Sequence, residues 1–103
     1  MREMNEWTKQ ELEREIGGNE QTYLYLYTPM CGTCQMAKKM LTVVNELLPN
    51  LPLGQANLNF IPEKALEWEI ESVPCLLSFE KGQVTEKIYA FHSVEYIYNK
   101  LKI

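Results

Sequence analysis

The chain has 103 residues, of which 46% are hydrophobic and 23% are charged, as is usual for a single globular domain and not for a disordered chain. The chain has ten Lys and Arg residues and fourteen acidic residues, all of them Glu, which gives a net charge of -4. It lacks the clusters of basic residues that bind nucleic-acid phosphates. No apolar run is close to the length of about 18 residues that a membrane-spanning helix needs. The first residues of the sequence lack the apolar core of a signal peptide. We therefore expect a cytoplasmic monomer that binds neither nucleic acid nor membrane.

The first half of the chain has three predicted elements. Residues 5–16 carry a thin apolar stripe of helical spacing, and the pair Gly17-Gly18 follows it as a stop signal. The run from Tyr23 to Thr28 alternates Tyr with Leu, which predicts a strand that is buried on both faces. From Cys31 or Gly32 to Leu48, apolar residues again recur at helical spacing, with Cys34 on the buried side.

The second half has five predicted elements. Two strands near its end are joined through the turn Lys81-Gly82 by a connection so short that they form an antiparallel hairpin. The element order α-β-α-β-α-β-β-α predicts an α/β fold with a four-stranded mixed sheet and helices on both faces. In chain order, the five elements are a strand over Leu51 to Leu58, a helix over Ile61 to Ile70, strands over Cys75 to Glu80 and Val84 to Tyr89, and a helix capped by Ser93.

The cysteines carry most of the functional signal. There are three, at positions 31, 34 and 75, and an odd number argues against a secreted disulfide framework. Cys31 falls at a predicted helix N-terminus, where free N–H groups and the positive end of the helix dipole favour a thiolate. Cys34 lies one helical turn further along, on the apolar stripe that faces the core. Cys31 is therefore the candidate nucleophile of a thiol–disulfide exchange, and Cys34 the shielded thiol that resolves the mixed disulfide.

Two other interpretations of this pair remain open. Both cysteines could simply be small buried residues. Alternatively, Cys31, Cys34 and Cys75, with His92 as a further candidate, could bind a metal, although a structural zinc site normally draws four ligands from two pairs and this chain has one. Considered apart from a metal site, Cys75 is interpreted as a buried apolar residue or as a third thiol that competes in disulfide exchange. His92 is interpreted as a surface residue.

The segment Tyr27-Thr28-Pro29-Met30-Cys31-Gly32-Thr33-Cys34-Gln35-Met36 resembles the active-site turn of the thioredoxin family. Val73-Pro74 resembles that family's cis-proline segment, and Lys81-Gly82 its hairpin turn. Over residues 23–101, the resemblance implies a thioredoxin-like fold that lacks the usual first strand. It also implies dithiol–disulfide exchange with a disulfide-containing protein or a small thiol, with no cofactor, and with electrons from a separate reductase or thiol pool.

The resemblance further implies a substrate groove, formed by Met30, Gly32, Thr33, Val73 and Pro74 with the loop around Ala90. Several positions depart from the family pattern. Met30 replaces a tryptophan and Thr33 a proline, while Tyr25 stands where the family has a buried aspartate and Gln55 near its lysine partner. These departures leave room for an alternative function, a thioredoxin-fold interaction module without useful turnover. The Thr33 replacement predicts a pair less reducing than about −270 mV, the potential of thioredoxin.

Overall fold

The computed structural model describes residues 4–102, which form five strands, four helices and one turn of 3-10 helix. In chain order these are β1 (Asn5–Glu6), α1 (Lys9–Gly18), β2 (Gln21–Tyr27), α2 (Gly32–Leu47), β3 (Leu53–Asn57), the 3-10 turn (Leu58–Phe60), α3 (Pro62–Glu67), β4 (Cys75–Glu80), β5 (Gln83–Ile88) and α4 (Val94–Leu101).

The strands form one mixed sheet in the order β1-β3-β2-β4-β5. Strand β3 runs parallel to both β1 and β2, whereas β4 runs antiparallel to β2 and β5. Lys81 and Gly82 join β4 to β5 with φ angles of 51° and 82°, a left-handed pair that matches the twist of a hairpin. The α/β architecture, the mixed sheet and the antiparallel hairpin are as predicted.

The expectation of four strands without a first strand was wrong. Asn5–Glu6 pairs with β3 through Gly54 and Gln55, so the sheet has a fifth strand at its edge. Both residues are exposed and polar, so no apolar alternation marks them in the sequence. The first helix consequently begins later than residue 5. Thr8 caps it, in a capping box with Glu11.

The helices lie on both faces of the sheet, as predicted. On one face α2 and α4 cover the odd-numbered side of β2, where Tyr23 and Tyr25 pack among Leu41 and Ile97. On the other face α1 and the α3 region cover Leu24 and Leu26. Strand β2 is therefore buried on both sides, in agreement with its alternating tyrosines and leucines.

Other boundaries differ from the predictions by a few residues. Gly17 and Gly18 form the last part of α1 instead of stopping it, and β3 and α3 are shorter than their predicted ranges. Ser93 caps α4 as predicted, its hydroxyl accepting a hydrogen bond from the Tyr96 N–H. These shifts leave the cysteine pair at the junction between β2 and α2.

Candidate active site

The site lies at the end of the two neighbouring interior strands where β2 ends and β4 begins. Because these strands are antiparallel and Leu26 pairs with Cys75, the start of β4 lies beside the end of β2. The loop after β2 carries the chain to Cys31, whose N–H donates to the Thr28 carbonyl over 3.3 Å. The sheet thus brings together the cysteine turn and the segment Val73-Pro74, which are about forty residues apart in sequence.

Cys31 and Cys34 form a disulfide, with their Cα atoms 5.2 Å apart. Cys31 is the N-cap of α2, and its Sγ accepts a hydrogen bond from the Cys34 N–H at 3.1 Å. Cys34 is only 3% exposed and belongs to the buried stripe of α2, whereas Cys31 is partly exposed. This geometry allows an external disulfide to reach Cys31 and keeps Cys34 behind it.

Two groups contact the Cys31 sulfur from the side of the predicted groove. The Thr33 hydroxyl oxygen lies 3.4 Å from Sγ, and the Val73 carbonyl oxygen lies 4.0 Å from it. The peptide bond between Val73 and Pro74 is cis. Both residues of this segment are partly buried, whereas Gly32 and Thr33 are open to solvent.

A cavity of about 300 Å³, which we call the partner groove, opens next to the disulfide. Thr33 and Pro74, two of the predicted groove residues, line it; Met30, Gly32, Val73 and Ala90 do not. Met30 instead projects into solvent and is 96% exposed. The other lining residues are mostly apolar. Tyr89, Phe91 and His92 flank Ala90 in the loop that was predicted to border the groove, whereas Met36, Ala37 and Met40 were not predicted for it.

The sequence pattern indicates some of the residues that line the partner groove but were not predicted for it. Met36 and Met40 are four residues apart on α2 and so share a helix face next to that of Cys34. Phe91 and His92 belong to the predicted loop around Ala90, but which of its side chains line the cavity depends on how the chain returns from β5 to α4. The His92 ring lies against that of Tyr96, with centroids 4.6 Å apart, at the exposed rim.

A second, smaller cleft of about 160 Å³, which we call the Tyr25 cleft, lies on the β2 side of Cys34. The Tyr25 hydroxyl donates a hydrogen bond to the Cys34 carbonyl oxygen. Burial raises the pKa of Tyr25 well above its ordinary value, so the hydroxyl stays protonated. Among residues 4–102, no carboxylate lines this cleft. Its lining residues are Tyr25, Tyr27, Thr28, Pro29, Cys34, Gln35 and Lys38.

Cys75 is fully buried at the start of β4, and burial raises the pKa of its thiol to about 11. The apolar interpretation of this residue fits that position. Over residues 4–102, no group of three or more His, Cys, Asp or Glu side chains is arranged to hold a metal ion. None of the helices described is long and apolar enough to span a membrane.

Fold and site together define a class of protein: an α/β domain with a CxxC disulfide at the start of a helix, opposite a proline segment that begins a neighbouring strand. The chain belongs to the thioredoxin family, since the family's sequence model matches residues 3–102. It is 48% identical over 102 residues to the thioredoxin-like protein YusE of Bacillus subtilis (strain 168), an alignment that covers 99% of this chain and 92% of that protein.

Solved structures agree with this assignment at the level of the fold. Oxidised mitochondrial thioredoxin 3 from Saccharomyces cerevisiae superposes with a TM-score of 0.80 at 21% identity, over 95% of this chain and 92% of that one. A thioredoxin from Plasmodium falciparum superposes with a TM-score of 0.84 at 14% identity, over 96% of this chain and all of the other.

Proposed function

We propose that this chain is a thiol–disulfide oxidoreductase that reduces disulfides in proteins or small thiol compounds. The observation that carries the proposal is the pairing of a partly exposed Cys31 with a buried Cys34 in one disulfide, at the N-terminus of α2. Membership of the thioredoxin family supports this class of activity. The proposal keeps the expectation of a cytoplasmic protein, where a separate reductase or thiol pool regenerates the dithiol.

The reaction begins from the reduced pair. The Cys31 thiolate is stabilised by the N-terminus of α2 and by the Cys34 N–H, and it attacks one sulfur of the substrate disulfide. This forms a mixed disulfide and releases the first substrate thiolate. Cys34 then loses its proton and attacks the Cys31 sulfur, which closes the protein disulfide and releases the second substrate thiol.

The partner groove accounts for how a protein substrate would dock. Its wall carries the apolar side chains of Met36, Met40 and Phe91 within reach of the disulfide. Methionine side chains adapt to differently shaped partners, which suits a protein that acts on several substrates. We assign Met30, Gly32, Thr33, Val73 and Pro74 to the substrate-binding surface around Cys31.

Reduction of insulin disulfides with dithiothreitol as the electron source tests this function. The wild-type protein should accelerate precipitation of the insulin B chain over dithiothreitol alone. Cys31→Ser should abolish the acceleration, whereas Cys75→Ala should leave it unchanged because Cys75 is buried away from solvent. Equal rates for wild type and Cys31→Ser would contradict the proposal.

The second candidate is a thioredoxin-fold module that binds partners without turnover. One observation favours it: the buried position beside Cys34 holds Tyr25, a hydroxyl that stays protonated, and the Tyr25 cleft has no carboxylate among the described residues to accept the Cys34 proton. If wild type fails in the insulin assay but a Cys31→Ser, Cys34→Ser double variant, which cannot form a mixed disulfide, still binds a partner, this candidate replaces the first.

A further inference from the structure

Tyr25 is held rigidly in the centre of the molecule. It lies on the central strand β2 and has no exposed surface. Its ring packs nearly parallel to that of Tyr27 and edge-on against that of Phe91, each at a centroid distance of 6.0 Å. The hydroxyl therefore has little freedom in its choice of acceptor, and the acceptor is the backbone carbonyl of Cys34.

Two interactions from outside the helical hydrogen-bond pattern attach the Cys34 backbone. Its N–H donates to the Cys31 Sγ, and its carbonyl accepts from Tyr25. The first interaction depends on the redox state, because a thiolate is a strong acceptor and the sulfur of a mixed disulfide is a weak one. The second involves no group that changes charge during the reaction.

We propose that Tyr25 is a positioning residue that holds Cys34 beside Cys31 while a mixed disulfide is resolved. This inference rests on the proposed function. At that stage Cys31 no longer carries the negative charge that attracts the Cys34 N–H, so the hydroxyl of Tyr25 becomes the more important attachment. Tyr25 takes no proton from Cys34. It acts through the geometry of the turn.

The step that Tyr25 assists is an internal exchange. The Cys34 thiol releases its proton to solvent, and the resulting thiolate attacks the Cys31 sulfur. The bond between Cys31 and the substrate sulfur breaks, the Cys31–Cys34 bond forms, and the substrate sulfur leaves with the electron pair as a thiolate. Over both steps the protein dithiol loses two electrons and the substrate disulfide gains them.

Stopped-flow reaction of the reduced protein with 5,5′-dithiobis(2-nitrobenzoate) separates the two steps. A Cys75→Ala background leaves two thiols to report. Attack by Cys31 releases one coloured thiolate in a phase that depends on reagent concentration. Resolution by Cys34 releases the second in a phase that does not depend on it. A Cys34→Ser variant should show the first phase alone.

The test variant is Tyr25→Phe, which keeps the ring and removes the hydroxyl. We expect the second phase to slow about fivefold and the first to stay within about twofold of wild type, as befits one hydrogen bond. Tyr23→Phe is the matched control, because Tyr23 is a buried tyrosine on the same face of the same strand, and its hydroxyl makes no hydrogen bond to Cys31 or Cys34 among the described residues. It should leave both phases unchanged.

An unchanged second phase in Tyr25→Phe would overturn the positioning role, as would equal slowing of both phases, which indicates a general loss of structure. If wild type shows neither phase, the proposed function itself fails. Should Tyr25→Phe fold poorly, NMR of a Cys34→Ser protein carrying the aryl mixed disulfide at Cys31 gives a second test. A slowly exchanging Tyr25 hydroxyl proton close to residue 34 supports the proposal, and its absence overturns it.

Discussion

The Trp7 indole occupies the space into which a β-carbon on Gly54 would project. Strand β3 carries glycine at this point, and the ring packs directly on its backbone. The backbone N–H of Trp7 also donates to the backbone carbonyl of Gln55 at 2.9 Å, so the segment after β1 is attached to β3 by both packing and hydrogen bonding. This contact fixes where α1 begins relative to the sheet.

Gly54→Ala should therefore destabilise the protein. An added methyl group would overlap the Trp7 ring, and relieving such overpacking typically costs about 1–3 kcal/mol. Urea unfolding of the oxidised protein measures this free energy. Gly17→Ala is the control, since apart from its neighbours in α1 no atom of residues 4–102 lies within 4 Å of its β-carbon position and alanine favours a helix by about 1 kcal/mol over glycine. Changes of the same sign in the two variants would contradict the packing argument.

Met30 should matter for protein substrates and not for folding. Its side chain is 96% exposed next to Cys31, so Met30→Gln should change the free energy of unfolding by less than about 0.5 kcal/mol. The same variant should slow insulin reduction about threefold, through the loss of an apolar contact, while its reaction with a small aryl disulfide is unchanged.

Leu47→Gln provides the matched control for Met30. Leu47 is 57% exposed at the far end of α2, thirteen residues beyond Cys34 and therefore about 20 Å along the helix. Insulin reduction by this variant should equal that of wild type. Equal slowing in both variants would show that exposed apolar surface in general, and not the surface beside Cys31, determines the rate.

Thr33→Val should make the cysteine pair more reducing. In the reduced protein the Thr33 hydroxyl, 3.4 Å from Sγ, can donate to the Cys31 thiolate and stabilise the dithiol state. Removing an exposed bond of about 0.5–1 kcal/mol lowers the potential by about 10–20 mV, measured by equilibration with glutathione. Thr42→Val serves as the control, because the Thr42 hydroxyl donates to the Lys38 carbonyl one turn back in α2. A higher potential in Thr33→Val would contradict the assignment.

Cys75 should make the oxidised protein less stable in alkali. Burial raises the pKa of its thiol from 9.0 to about 11, so between these pH values the folded protein holds a proton that the unfolded chain has lost. The free energy of unfolding therefore falls as the pH rises through this window, by up to about 1 kcal/mol per pH unit from this group.

Comparison with Cys75→Ala isolates the thiol, because the buried tyrosines titrate in both proteins and cancel in the difference. The stability difference between wild type and the variant should shrink as the pH rises from 9 to 11. A difference that stays constant over this range would show that the Cys75 thiol does not remain protonated in the fold.

Most of the fold could be predicted from the sequence because its main elements carry strong local patterns. The tyrosine–leucine alternation of β2 and the apolar stripe of α2 each locate an element, and together they place the cysteine pair at their junction. Strand β1 could not be predicted. Two exposed polar residues have no pattern, and their pairing depends on Trp7 packing over Gly54.

The side chains that line the partner groove could be predicted only in part for a similar reason, and substrate binding there stays a prediction. Thr33 and Pro74 lie in segments that the motif identifies, whereas Phe91 reaches the cavity through a loop whose path the tertiary fold decides. The hydrogen bond between Tyr25 and the Cys34 carbonyl joins a strand to a helix. Sequence showed that residue 25 is a tyrosine but not where its hydroxyl points.

The antiparallel register of β2 and β4 also determines where the molecule can accept extra sequence. Leu26 pairs with Cys75 at the end of the sheet that holds the disulfide, whereas Gln21 pairs with Glu80 at the opposite end, next to the Lys81–Gly82 turn. A residue inserted before Cys75 would displace the proline segment from Cys31. A peptide tag or fluorescent reporter inserted at the turn would extend away from the disulfide, which makes this hairpin tip the natural attachment point for a label that must leave the cysteine turn unobstructed.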